Sequence, residues 1–135
     1  MTLKQLYDYA EENDINIDNF SLPDAKACCV ALPNGDMRIG IDVSHAKSTA
    51  EEKELLGHEL AHCMKNAFHY LHSPPCVRSK AEHRALCWEA ENFMPKQDLV
   101  ELFRAGITEM WEIAEYFEVT ESFVIRVCKL YGFIT

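Results

Sequence analysis

The chain has little glycine or proline, five of each in 135 residues. That excludes a long Pro/Gly-rich disordered tract, and 48% hydrophobic with 26% charged residues is an ordinary globular composition. Cationic charge is also scarce. Thirteen Lys and Arg face 22 Asp and Glu, for a net charge of −9, and phosphate binding needs clustered Lys and Arg. Nucleic acid and anionic lipid are therefore disfavoured, and proteins or peptides, basic ones among them, are the expected partners. No uncharged run approaches the roughly 18 residues of a membrane span. Lys4, Asp8, Glu11, Glu12 and Asp14 interrupt what would be the apolar stretch of a signal peptide. A cytoplasmic protein without a membrane partner is expected. The six cysteines include no CxxC pair, which speaks against a zinc knuckle or a disulfide framework and for reduced, mostly buried thiols.

A length of 135 residues suits one domain with one core. Leu3, Leu6, Tyr7 and Ala10 lie at helical spacing and Asn13-Asp14 is a stop, so a first helix is predicted over residues 2–12. The run from Cys28 to Leu32, the turn Pro33-Asn34-Gly35-Asp36 and the alternation of Met37, Ile39 and Ile41 predict a β-hairpin at about 28–42. Ser48 with Glu51, or Thr49 with Glu52, has the form of a capping box opening a long helix over about 49–69. Its apolar stripe of Leu56, Leu60, Cys63, Met64 and Ala67 should face the core. Ser73-Pro74-Pro75 marks a loop. A third helix is predicted over 78–93, with Ala81, Ala85, Trp88 and Asn92 in one row and Pro95 ending it. Lys96 to Arg104 and Ile107 to Phe117 read as helices, and Val119-Thr120-Glu121 separates them from a last one ending near Tyr131-Gly132. The class is α+β and mainly helical, with a core over 28–100 and a C-terminal helical segment over 101–135.

Within the second predicted helix lies His58-Glu59-Leu60-Ala61-His62, an HExxH pattern. Chance alone produces that pattern in roughly 3% of shuffled versions of such a chain, so its helical setting carries the weight. At 100° per residue, positions 58 and 62 stand about 40° apart and one turn displaced, so both imidazoles can reach one tetrahedral zinc ion. Glu59 lies about 100° round from His58, suitably placed to hold and deprotonate a water rather than bind the metal. The two rings project away from the Leu56/Leu60/Met64 stripe, towards a surface where a cleft would lie. A third protein ligand is needed if one position is to stay open. His69, His72, Glu82, His83, Glu89 and Glu91 are the downstream candidates, and Glu82 is favoured because it sits one turn before Ala85, whose small side chain lets the two helices approach.

Gly57-His58-Glu59-Leu60-Ala61-His62, together with Glu82-His83-Arg84-Ala85, Trp88 and Phe93-Met94-Pro95, resembles the ImmA/IrrE-type metallopeptidases of bacteria, phages and integrative elements. The resemblance covers roughly residues 37–100. It implies a zincin-like minimal metallopeptidase with His58, His62 and Glu82 as ligands of one zinc ion and Glu59 as catalytic base. Arg84 stands where some members have a second Glu and Ala61 where many have Gly, and Glu89 remains a backup ligand. The implied substrate is a helix-turn-helix repressor of a phage or mobile element. The strand from Arg38 to Asp42 is expected to pair with an extended substrate, and His45, Tyr70, His72 and His83 are candidate oxyanion donors.

The competing expectation is a DNA-binding or regulatory module. Residues Ile107 to Ala114 followed by Val119 to Ser122 have the look of a helix-turn-helix. Five glutamates there (109, 112, 115, 118 and 121) face only Arg126 and Lys129, which argues against DNA. Trp111, Ile113, Phe117, Phe123 and Val127 are instead expected to pack on the core.

Overall fold

Amphipathic helices shorter than about 15 residues gain most of their stability from packing rather than propensity, and each helix here is placed by what its apolar stripe meets. A computed structural model describes residues 1–21, 26–65 and 75–135. Its helices are α1 (Leu3–Glu12), α2 (Thr49–Met64), α3 (Pro75–Phe93), α4 (Lys96–Arg104), α5 (Met110–Phe117) and α6 (Glu121–Tyr131). The strands β1 (Ile15–Asn19), β2 (Ala27–Ala31) and β3 (Met37–Ile41) form one sheet. The class is α+β, and one cluster of buried residues runs from Leu6 to Cys128.

The hairpin is present: β2 pairs antiparallel with β3, Cys29 opposite Ile39. The expected two-stranded sheet has a third member, because β1 pairs parallel with β3, Ile17 opposite Ile39. The order is β1-β3-β2, so the strand from Arg38 to Asp42 is central, with both its edges occupied. It cannot take a substrate strand, contrary to expectation, and β2 is the edge nearer α2. The Cys29 thiol on β2 faces the Cys63 thiol on α2, and their interaction pushes the Cys29 pKa up and the Cys63 pKa down.

Of the two capping possibilities before α2, Ser48 is the one used. Its hydroxyl accepts from the Glu51 amide at 3.2 Å, while the Glu51 carboxylate reaches back to the Lys47 amide at 2.7 Å. The predicted stretch beyond Lys65, with Ala67, lies outside the described residues. The helix expected over 78–93 already begins at Pro75, which the sequence places in a loop; Pro is tolerated in a first helical turn. The helix expected from Ile107 starts at Met110 because Ile107 is taken up in ending α4. Gly106 adopts φ +85°, its amide bonds Phe103 O, and the Ile107 amide bonds Leu102 O, the paired bonds of a Schellman stop.

Along α5 the buried stripe is Ile113, Ala114 and Phe117. Trp111, two residues before Ile113, falls on the opposite side and is 54% exposed, so it does not join the core as expected. Phe123 and Val127 do. The cysteines also depart from expectation: Cys63 and Cys128 are buried, Cys28, Cys29 and Cys87 are half-buried, and Cys76 is exposed.

Lys53 on α2 is 1% exposed. Its ammonium donates to the Phe117 carbonyl at 2.7 Å, at the C-terminal end of α5, and lies 5.0 Å from the Phe93 ring centroid. Cations are favoured at a helix C-terminus and over an aromatic face, and Lys53 is what ties α5 to α2. At the next position, the Glu54 carboxylate accepts from the Thr120 hydroxyl at 2.8 Å and stands 3.7 Å from Arg126, tying down α6. Lys53→Ala should therefore lower unfolding free energy by about 2–4 kcal/mol, from the cavity and the orphaned carbonyl. Lys53→Met, which keeps volume and removes a buried charge, should cost less; urea denaturation of both variants measures the difference.

Candidate metal centre

Two helices build the site, and their spacing is set by a glycine. A Cβ on Gly57 would stand 2.4 Å from Phe93 Cζ, closer than any real contact, and Phe93 is 1% exposed. Ala85 and Ala81 on α3 are fully buried, so small residues line the approach from both sides. The helices run antiparallel, since Gly57 meets the end of α3 at Phe93 while His62 meets Glu82 near its beginning.

The approach brings three side chains to one point. His58 Nε2 and His62 Nε2 lie 3.1 Å apart. Glu82 Oε2 is 3.2 Å from His58 Nε2, and Glu82 Oε1 is 3.2 Å from His62 Nε2. One ligand atom from each residue falls within 4.8 Å of the others, a grouping that could hold a metal ion. Zinc takes nitrogen and oxygen ligands at about 2.0–2.2 Å, and the edges of such a tetrahedron are about 3.3–3.6 Å, slightly longer than the separations of 3.1 and 3.2 Å seen. Two imidazoles and a carboxylate also match the three-ligand set of catalytic zinc.

The rings do not share one exposed surface. His62 is 7% exposed, whereas His58 is partly open. His58 Nδ1 faces Glu89 Oε2 at 3.5 Å, and this contact raises the imidazole pKa against the opposing effect of burial. Glu89 thus stands on the side of His58 away from Glu82 and does not join the three converging atoms. Glu59 is half-buried, and loss of solvent pushes its carboxyl pKa up, opposed by the neighbouring His58 and His62.

The remaining candidates disperse. His83 and Glu91 are exposed, His83 with Nε2 3.6 Å from Cys87 Sγ. His69, Tyr70 and His72 lie outside the described residues. His45 is exposed, 3.3 Å from the buried Asp42, and lines a cleft with Glu59.

That cleft, of about 410 Å³, lies between the start of β2, the first half of α2 and the start of α6. A second hollow of about 370 Å³ opens beside Glu82 and His83. His58, Glu89 and Arg126 line both, so the candidate centre sits where the two meet. Thr120, Ser122 and Arg126 enter the cleft wall from α6. The sequence connects them with a helix-turn-helix-like segment rather than with this site, since some 60 residues separate them from His58.

No family model matches the chain, and comparison with curated proteins and with solved structures likewise returns no match.

Two outcomes follow from this geometry. Gly57→Ala would gain about 1 kcal/mol of helix propensity, but the clash with a buried ring costs about 1–3 kcal/mol. Net destabilisation is expected in urea, with weakened metal uptake. Glu82→Ala should remain folded by circular dichroism and take up less metal than wild type after incubation with zinc, as measured by elemental analysis of the dialysed proteins.

Proposed function

We propose that this protein is a zinc-dependent endopeptidase of zincin-like arrangement, in which His58, His62 and Glu82 hold one zinc ion and Glu59 is the general base. The observation that carries the proposal is the convergence of the two imidazoles and the carboxylate within 4.8 Å, beside a cleft lined by Glu59. Zinc, when bound, supplies a Lewis acid that lowers the pKa of a water and polarises a carbonyl.

Glu59 takes the proton of the attacking water and delivers it to the leaving amine. Its half-buried carboxyl, with a raised pKa, suits a group that must both accept and return a proton. The cleft and the hollow on either side of His58 leave room for a chain to pass the site. An extended substrate would pair with β2, one of the two edge strands in the order β1-β3-β2 and the one whose first residue Ala27 lines the cleft. His45 is the candidate oxyanion donor on the cleft side and His83 the one in the hollow.

The resemblance to ImmA/IrrE-type enzymes supports a substrate of the helix-turn-helix repressor class from a phage or mobile element, met in the cytoplasm. Among the described residues no helix is long and apolar enough to cross a membrane.

The alternative of a DNA-binding module has in its favour the pair α5 and α6, joined by a short turn. Against it, the first turns of α6 are engaged within the molecule. Thr120 is bonded to Glu54, and Ser122 and Arg126 line the cleft. The acidic face of α5 would also repel phosphates.

Glu59→Gln should keep its zinc and lose about 10²–10⁴-fold in the rate of peptide cleavage. A quenched-peptide library and a zinc assay on the same preparations test this. Undiminished cleavage by Glu59→Gln would sink the mechanism.

A further inference from the structure

Among the described residues, Glu89 is a buried charged side chain that neither the core nor the proposed ligand set explains. It is 2% exposed, and among the described residues its Oε2 is the one buried side-chain oxygen without a hydrogen bond of normal length. Leaving a buried acceptor unsatisfied costs about 1–3 kcal/mol, more for a charged one, so such an atom in a small protein calls for a function. It follows Glu82 by seven residues on α3, two turns along the same face. That spacing sets the two carboxylates on opposite sides of His58: Glu82 Oε2 lies 3.2 Å from Nε2, and Glu89 Oε2 lies 3.5 Å from Nδ1.

We infer that Glu89 is a positioning residue for the metal centre: it accepts the Nδ1–H of His58 and so aims Nε2 at the point shared with His62 and Glu82. The inference rests on the metal reading above. A neutral imidazole carries its proton on one nitrogen only, and an acceptor at Nδ1 selects the tautomer whose Nε2 lone pair is free to bind a metal. Metal-binding histidines generally pair their second nitrogen in this way, which fixes the ring and increases its basicity. At 3.5 Å the contact is loose, and a slight tilt of the ring would close it while satisfying the stranded Oε2. Glu89 is already buried at 2% exposure, so little orientational freedom is lost when the bond forms.

The test is zinc affinity, measured by chelator competition on wild type, Glu89→Ala, Glu89→Gln and, as control, Glu82→Ala, with thermal unfolding of each metal-free protein alongside. Glu89→Ala should bind zinc about 10–100-fold more weakly than wild type. Glu89→Gln, which keeps the shape and a neutral acceptor, should fall between them. Metal-free Glu89→Gln should melt at or above the wild-type temperature, because it no longer buries an unsatisfied carboxylate. That combination separates positioning from a structural role, which would lower the melting temperature and leave affinity alone. If Glu89→Ala does not fold, Glu89→Gln decides by itself. Should the Glu89 variants bind zinc as tightly as wild type while Glu82→Ala does not, the positioning role is wrong and the metal centre stands. Should wild type take up no zinc at all, both fall.

Discussion

The contact of α2 with α3 at Gly57 and Phe93 is the constraint on which the rest of the molecule depends. With no side chain at position 57, the edge of a buried aromatic ring lies directly against the backbone of α2, and two antiparallel helices come close enough for side chains on both to share a site. An axial shift of one turn, about 5.4 Å, would carry Glu82 past His62 and out of reach of His58. The apolar packing at one end of the helix pair therefore sets the polar geometry at the other. Close-packed interiors transmit such constraints because they deform little.

Around that pair the remaining elements divide into two supports. The sheet lies against one flank of α2 and brings the edge strand β2 to the cleft. The C-terminal helices lie against another, and they are held by polar ties as well as by Phe117, Phe123 and Val127 in the core. Lys53 and Glu54, neighbours on α2, bond the end of α5 and the start of α6. A buried lysine is an expensive way to join two helices, but a hydrogen bond to a helix C-terminus has a direction that apolar contact lacks. These ties fix where Thr120, Ser122 and Arg126 enter the cleft, which makes the start of α6 a wall of the candidate site.

Most helices were legible because they carry local signals. Ser48 before Glu51, Thr120 before Phe123 and Gly132 after Tyr131 act within one turn of the chain, and each does what its residue type suggests. The strand β1 was not legible. Ile15 and Ile17 alternate properly, but Asn16, Asp18 and Asn19 are poor strand formers, and only pairing with β3 some twenty residues on makes them a strand. The delayed start of α5 escaped notice because Gly106 and Ile107 serve the helix before them. The role expected of the strand from Arg38 to Asp42 failed for the same reason that β1 was missed: an edge cannot be told from a centre until every strand is known.

By itself the sequence determined that His58 and His62 would stand one turn apart on a helix with Glu59 beside them, since 3.6 residues per turn is a local property of the backbone. It also determined the helix ends, which depend on hydrogen bonds spanning three to five residues. The sequence favoured Glu82 among several carboxylates and imidazoles, but only the tertiary structure brought it to both rings. Glu82 and Glu89 lie on the same face of α3, and the register of two packed helices sets one against Nε2 and the other against Nδ1. That register comes from side-chain packing across nearly forty residues of chain, an interaction no local pattern encodes.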